Sequence, residues 1–428
     1  QGGPVAMSFR PGTVGATSSM GDLDGDAAPA KTGIPFVTPL KEMCVAVVAQ
    51  NFEERPNFGA LPPTYVKKIV NLLRLDLPLE LVGTLIVDES YWKRRACARW
   101  KNCEISAHGN SWKQLYFERN LESALERFDP ETTSKDGLKR LLSFSRQFIR
   151  SISVKQLPSH LDLQQVFDAT ASCLTSLSLT YGMKNVGMDY DRSLFGMKLS
   201  DCRSLAKSLE RTETLTFLNL SCNLLDDDKV RMVASGMVDN LSVTHLDLSH
   251  NKIADRGVRA LAKLLDSRSV IAFIDLCDNH VHTEGGRALA RALRSNVSLI
   301  SLNLRLNRLG DDGGRAICDV LRNNSTLQQL KLGSNALSSQ TAASLGVLLR
   351  ANNALTELDL SCNLFGPDGG KHIREAMEEN TGMRRLDLRM CEMGMDLETA
   401  IAEILKSRVA YGAFGLDALG NALKRPGA

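Results

Sequence analysis

No stretch of this 428-residue chain sustains an apolar run near the ~18 residues that a membrane span requires, and its first residues hold no apolar signal core. Charge of one sign is also lacking. The 52 Lys and Arg against 49 Asp and Glu leave a net charge of +3, without the basic excess that draws a protein to nucleic acid. The ten cysteines never fall at a paired spacing, and several of them (Cys222, Cys277 and Cys362) sit on the strand ends of repeats. That distribution leads us to expect reduced thiols in a cytoplasmic compartment. Signatures of catalysis are missing too: there is no Gly-x-Ser-x-Gly elbow and no His-Glu-x-x-His. Gly366-Pro-Asp-Gly-Gly-Lys371 imitates a phosphate loop, but it is too short and His372 stands where Ser or Thr is needed, so a strand-to-helix turn is expected. His280-Val-His282 has no Cys or carboxylate at a ligand spacing and reads as a solvated loop. No enzyme, cofactor or metal is therefore expected. The Asn-x-Ser matches at Asn219, Asn240, Asn296 and Asn323 read as coincidence in such a compartment.

What the chain does have is one sentence repeated. At Leu215, Leu218, Leu220, Asn223 and Leu225 the pattern is L-x-x-L-x-L-x-x-N-x-L, and its asparagine returns at 251, 279, 307, 335 and 363. Every step is 28 residues, and Cys391 continues the count. This is the leucine-rich-repeat signature. Alternate leucines point from a short strand into the core, and the asparagine can turn inward to satisfy backbone groups freed at the strand end. Between motifs, stretches such as Gly257–Leu265 and Gly286–Leu293 carry apolar residues at helical spacing. A strand plus a full helix in about 28 residues is the ribonuclease-inhibitor type of repeat. One unit cannot bury its apolar face alone, so the units stack into a curved solenoid. The expected fold class is α/β: a solenoid with a parallel sheet inside and helices outside, preceded by a small all-α domain.

In chain order, residues 1–33 are poor in large apolar residues and are expected to be a disordered tail. Residues 34–60 form an extended or docking segment whose apolar run, Val45 to Val48, fits either a helix or a strand. Residues 61–160 read as a helical domain. Pro62-Pro63 opens one helix with Val66, Ile69, Val70 and Leu73 on a face. Leu79–Val87 and Glu89–Trp100 give two more, and Ser111-Trp-Lys-Gln114 is a capping-box start for a fourth, running to Phe128. Leu138, Leu141, Leu142, Ser145, Phe148 and Ile152 mark a fifth. All three tryptophans lie between residues 92 and 112, which implies a second core apart from the solenoid. The solenoid is placed at 170–409, with an insertion around 186–198, an end-capping helix at Leu397–Leu405, and a C-terminal tail at 410–428.

Two surfaces emerge as candidate binding sites. The fifth motif position reads Ser178, Asn219, Asp247, Asp275, Asn303, Lys331, Asp359 and Asp387, a mostly acidic ladder with Arg305, Arg385 and Arg389 beside its later rungs. Strands ~4.8 Å apart would bring these like charges close, at a cost unless solvent or a partner dilutes them. The ladder is either a solvated polar face or a groove for a partner whose basic residues meet Asp247 and Asp275. The run Lys93-Arg94-Arg95, with Arg99 and Lys101, is either a solvated helix face or a contact for an acidic surface such as tubulin.

The segments Leu61-Pro-Pro-Thr-Tyr-Val-Lys-Lys, Asp76-Leu-Pro-Leu-Glu-Leu-Val, Val87-Asp-Glu-Ser-Tyr-Trp-Lys-Arg and Ser111-Trp-Lys-Gln-Leu-Tyr-Phe-Glu-Arg-Asn-Leu-Glu, followed by the repeats, resemble the T-complex-associated testis-expressed protein 1 family. That family is subunit 5 of the nexin–dynein regulatory complex of motile cilia, and the resemblance spans about residues 61–409. It implies a non-enzymatic scaffold of the axoneme in the link between neighbouring doublet microtubules, helping to regulate dynein-driven sliding. The implied partners are other subunits of that complex, coiled-coil ones included, with tubulin or dynein reached indirectly and neither nucleic acid nor membrane involved. Two other families share features. Leu77-Pro-Leu-Glu-Leu-Val followed by repeats is similar to an F-box substrate receptor of a ubiquitin ligase. The 28-residue repeat resembles that of the Ran GTPase-activating protein, although the early solenoid start and long acidic tail of that family are missing here.

Overall fold

The computed structural model describes residues 39–129, 134–158, 161–182, 191 and 194–422. The expected tail at 1–33 and most of the 186–198 insertion lie outside them. The open choice at 34–60 falls to a helix, α1 (Leu40–Gln50). It turns Val45 and Ala49 inward, while Leu40, Met43 and Val47 stay exposed. Helix α2 (Pro63–Leu72) starts with proline in its first turn, where a missing N–H costs nothing, and buries Ile69 and Val70. Helices α3 (Leu79–Leu85), α4 (Glu89–Arg99), α5 (Trp112–Glu126) and α6 (Lys135–Ser145) complete the block. Its core is aromatic. Tyr91 and Trp92 are fully buried, the Trp92 ring lies 5.4 Å from Phe117, and Phe117 stacks on Phe148 at 4.2 Å. The indole of Trp92 donates to the Ile86 carbonyl at 3.0 Å, so its one polar atom is satisfied.

At the start of α5 only half of the expected capping box forms. The Ser111 hydroxyl accepts the Gln114 N–H at 3.2 Å, but the Gln114 side chain donates to Glu118 instead of returning to the cap. Glu89 of α4 takes over: its carboxylate accepts the Trp112 and Lys113 N–H groups at 2.6 and 3.2 Å and the Ser111 hydroxyl at 2.8 Å. This ties α4 to the positive end of α5.

The fifth helix is shorter than the spacing implied. It ends at Ser145, and Ile152 belongs to a strand, β1 (Ser151–Leu157), in which Ile152 and Val154 alternate into the core. Two residues of helical period coincided there with the period of a strand. Helix α7 (Leu163–Thr170) and strand β2 (Ser176–Tyr181) follow, and β1 pairs parallel to β2. An outer strand exposes N–H groups that invite pairing with another chain. Here α5 covers them with side chains one turn apart: Glu118 accepts the N–H groups of Arg150 and Ser151 at 2.7 and 2.8 Å, and Glu122 accepts that of Ser153 at 2.7 Å.

The repeats then alternate helix and strand: α8 (Leu199–Leu209), β3 (Phe217–Asn219), α9 (Asp227–Ser235), β4 (His245–Asp247), α10 (Asp255–Ala262), β5 (Phe273–Asp275) and α11 (Thr283–Leu293). The series continues with β6 (Ser301–Asn303), α12 (Gly310–Leu321), β7 (Gln329–Lys331), α13 (Ser339–Ala351), β8 (Glu357–Asp359), α14 (Gly366–Glu379) and β9 (Arg385–Asp387). Among the described residues the nine strands form one parallel sheet in chain order. The phosphate-loop lookalike, expected as a strand-to-helix turn, forms the first six residues of α14 itself. Helix α15 packs Ile401 against the last repeat, and its backbone continues from Met395 to Ala422, through most of the span expected to be a tail. That segment mixes alanine and leucine, strong helix formers, with Gly412, Gly415 and Gly420.

The motif asparagines act as the physics requires. Asn251 is 5% exposed; its amide donates to the carbonyls of Leu220, Leu248 and Ser249 at 3.1, 2.9 and 3.0 Å, and its oxygen accepts the N–H groups of Asn223 and Leu225 at 3.0 and 2.9 Å. Cys391, at the end of the series, reaches two such carbonyls, of Leu360 at 3.3 Å and of Arg389 at 3.7 Å. The residue before each of these positions is left-handed although none is glycine: Cys222, His250, Asp278, Leu306, Ser334, Cys362 and Met390 have φ between 52° and 59°. The amide bonds of the asparagine hold that turn closed against its intrinsic cost.

Candidate functional site on the concave face

Strands β3 to β8 each bury their middle residue and present the flanking two on the concave face, and β9 does so with Leu386 half-buried. The register places the fifth-position residues side by side, from Ser178 opposite Asn219 through Asp247 opposite Asp275 to Asp359 opposite Asp387. The expected ladder is therefore real in geometry, but its side chains do more than face solvent. Asp247, Asp275, Asp359 and Asp387 each accept the N–H two residues on, at 2.9, 2.8, 2.9 and 3.1 Å. Asn219 and Asn303 do the same at 2.8 and 3.1 Å. A carboxylate or amide at this position is thus a turn-forming residue first, which is why Asp and Asn recur there.

The two halves of the ladder differ in how charge is balanced. Towards the C-terminal end each acid has its own cation. Arg389 grips Asp387 at 2.6 Å and holds that carboxyl below its usual range, Arg385 lies 3.4 Å from Glu357, and Arg305 lies 4.0 Å from Asp359. These side chains and Lys331 line a concavity of about 500 Å³. At β4 and β5 the compensation is absent. Asp275 receives a neutral amide hydrogen from Asn303 at 2.8 Å, and neither Asp247 nor Asp275 joins an ion pair among the described residues.

The basic run on α4 is a different matter. Arg95 is 7% exposed, donates to the Leu77 carbonyl at 2.7 Å and lies 4.9 Å from the Tyr116 ring centre. Arg94 donates to the Val70 carbonyl at 2.7 Å. Both are used in holding α4 on its neighbours, so neither belongs to the solvated face or the acidic-surface contact expected of the run. Only Lys93 of the three is exposed, above the Trp112 ring.

Two columns escaped the motif reading. Asn240, Asn296, Asn324, Asn352 and Asn380 form a second asparagine series at the helix-to-strand turns: Asn352, for example, donates to the Leu321 and Asn324 carbonyls at 2.6 and 2.7 Å. Their spacing, multiples of 28, was the available signal. The side chains of Asn240 and Asn296 are engaged in this way and Asn219 closes its own turn, so three of the four Asn-x-Ser matches have a structural role. The other column is aromatic. Phe217, His245 and Phe273 open β3, β4 and β5, with His245 and Phe273 stacked at 4.1 Å and 11°. Among the described residues no His, Cys, Asp and Glu cluster has the makings of a metal site, and no helix is long and apolar enough to cross a membrane.

A leucine-rich-repeat family model matches residues 239–262, 295–318 and 351–373. The chain is 64% identical over 197 residues to dynein regulatory complex subunit 5 of Chlamydomonas reinhardtii, covering 46% of this chain and 50% of that one. It is 36% identical over 238 residues to the mouse protein of that name, and 37% over 234 residues to the human one, covering 49% and 48% of this chain and 48% and 47% of theirs. The matches thus span about half the length of these relatives. Among solved structures, an actin-binding site of leiomodin-1 matches 40% of this chain and 97% of its own at 20% identity and a TM-score of 0.34. An internalin from Listeria monocytogenes matches 61% and 69% at 17% identity and 0.36. At such scores neither speaks to function.

Proposed function

From the premise that this chain belongs to the dynein regulatory complex subunit 5 family, we propose that it is a non-enzymatic scaffold subunit of that complex in the ciliary axoneme. The observation that carries the reading is the 64% identity with the algal subunit over 197 residues. In this role the chain helps to link neighbouring doublet microtubules and to regulate dynein-driven sliding. It binds other subunits of the complex, coiled-coil ones among them. The solenoid suits such work because stacked repeats give an extended, pre-formed surface that loses little freedom on binding.

The concave ladder is the proposed docking face, with Asp247 and Asp275 at one end and Arg305, Lys331, Asp359, Arg385, Asp387 and Arg389 at the other. Exposed Lys93 remains a peripheral candidate for an acidic surface, whereas Arg94 and Arg95 are committed internally. The ubiquitin-ligase reading draws no support, since the relatives found carry the dynein-regulatory name and Leu77 and Val82 are consumed by the core.

The test is localisation of the tagged protein in isolated axonemes, followed by high-salt extraction. Retention along the axoneme, and loss in mutants lacking the nexin link, is the expected result. A soluble pool that co-purifies with the Skp1 adaptor and cullin would overturn it.

A further inference from the structure

Across the described concave face, acids are neutralised from within at one end and left open at the other. Asp387 and Glu357 each hold an arginine within 3.4 Å, whereas Asp247 and Asp275 hold none. One oxygen of Asp247 accepts the Ser249 N–H, and the other has no partner among the described residues. Beside these two carboxylates, one pleat earlier on the same strands and the same face, stand His245 and Phe273. Phe217 extends the row, its ring centre 6.1 Å from that of His245.

These rings are half-exposed, and they do not interlock with the core as the leucines between them do. Burial pushes the His245 imidazole below its ordinary value, which favours the uncharged ring, and its stack on Phe273 covers one face of each of the two rings. The Phe273 face turned away from His245 lies on the side of Ser301 in β6, next to carboxylates that hold hydrogen bonds but no cation, and this suits a planar cation: the guanidinium lies over that face and donates its forked N–H groups to an acid. A lysine ammonium supplies charge but neither the plane nor the fork.

We propose that Phe217, His245 and Phe273 form an aromatic platform which, with Asp247 and Asp275, receives arginine side chains from a segment of a partner protein. This deepens the scaffold reading, on which the existence of a partner rests; the chemistry of the platform is testable without it.

The experiment uses the full chain and three labelled synthetic peptides of one helix-favouring sequence, carrying four arginines, four lysines or four glutamates, in fluorescence anisotropy at moderate salt. The arginine peptide should bind more tightly than its lysine twin by about three- to tenfold, the range expected for adding a stacked guanidinium contact. The glutamate peptide should not bind. Phe273→Ala should remove most of the arginine preference, and Asp247→Asn with Asp275→Asn should weaken both cationic peptides. Lys371→Ala, on α14, should change nothing. Thermal melts establish that each variant is folded; His245→Ala serves if Phe273→Ala is not. Equal binding of the arginine and lysine peptides, indifference to Phe273→Ala and His245→Ala, or no binding of the arginine peptide overturns the proposal. Absence from axonemes would leave these results untouched, so the two readings fail separately.

Discussion

Replacing Asn251 by alanine and by aspartate separates what the repeat asparagine does from how much space it fills. The side chain accepts two N–H groups and serves three carbonyls from a site 5% exposed. Alanine leaves the N–H groups of Asn223 and Leu225 buried without acceptors. At about 1–3 kcal/mol for each stranded group, Asn251→Ala should cost about 4 kcal/mol, the carbonyls adding less because each has a second lone pair. Aspartate has nearly the same shape and can still accept both N–H groups, yet it turns a carboxylate oxygen toward the carbonyls of Leu220, Leu248 and Ser249. If the bonds matter and not the volume, Asn251→Asp is at least as damaging as the alanine variant at neutral pH. Urea denaturation followed by circular dichroism reads both: the midpoint should fall by roughly 1 M in each, with amplitudes showing whether the whole solenoid or only adjoining repeats are lost. An aspartate variant as stable as the parent, or an alanine cost under about 1 kcal/mol, would refute the reasoning.

Burial raises the Glu122 carboxyl from 4.5 to about 7. The folded chain therefore binds more protons than the unfolded one between those values, and stability from this group falls as pH climbs from about 5 to 8. Glu122→Gln should flatten that decline, with a gain over the parent at pH 8 on the order of 1–3 kcal/mol in urea titrations and little difference at pH 5. Arg95→Lys keeps the charge but loses the fork that donates to both the Leu77 carbonyl and the Tyr91 hydroxyl, and should cost about 2 kcal/mol by the same assay, whereas Lys93→Ala should stay within about 0.5 kcal/mol. At Gly236 an added Cβ would stand 2.3 Å from the Ala206 carbonyl oxygen, so Gly236→Ala should lower the thermal midpoint by pushing α8 from the following repeat, at about 1–3 kcal/mol.

Where one residue dominates its own surroundings, the sequence was readable. Pro63 began a helix, Ser111 capped one, and the leucine-asparagine motif placed every strand from β3 to β9 in register before any coordinates. Strand β1 was hidden because Ile152 and Val154 carry no repeat motif, and because Leu142, Ser145 and Phe148 extend a helical period up to it. The aromatic row and the second asparagine series were written in the 28-residue step but sit outside the motif positions. At the candidate site, the sequence named the ladder but not its division into compensated and open halves.

The chain's own pattern determined the solenoid, since a 28-residue period admits one stacking direction and one buried face. It also determined that Asp and Asn would line the concave surface. Only the tertiary structure decided that those side chains close backbone turns, that Arg95 is spent on Tyr116 and Leu77, and that Glu118 and Glu122 seal the edge of β1. The physical reason is common to all three. A periodic motif reports which way a residue faces relative to its own strand or helix, whereas the partner of a polar group is fixed by residues far away in sequence, often one whole repeat or domain apart.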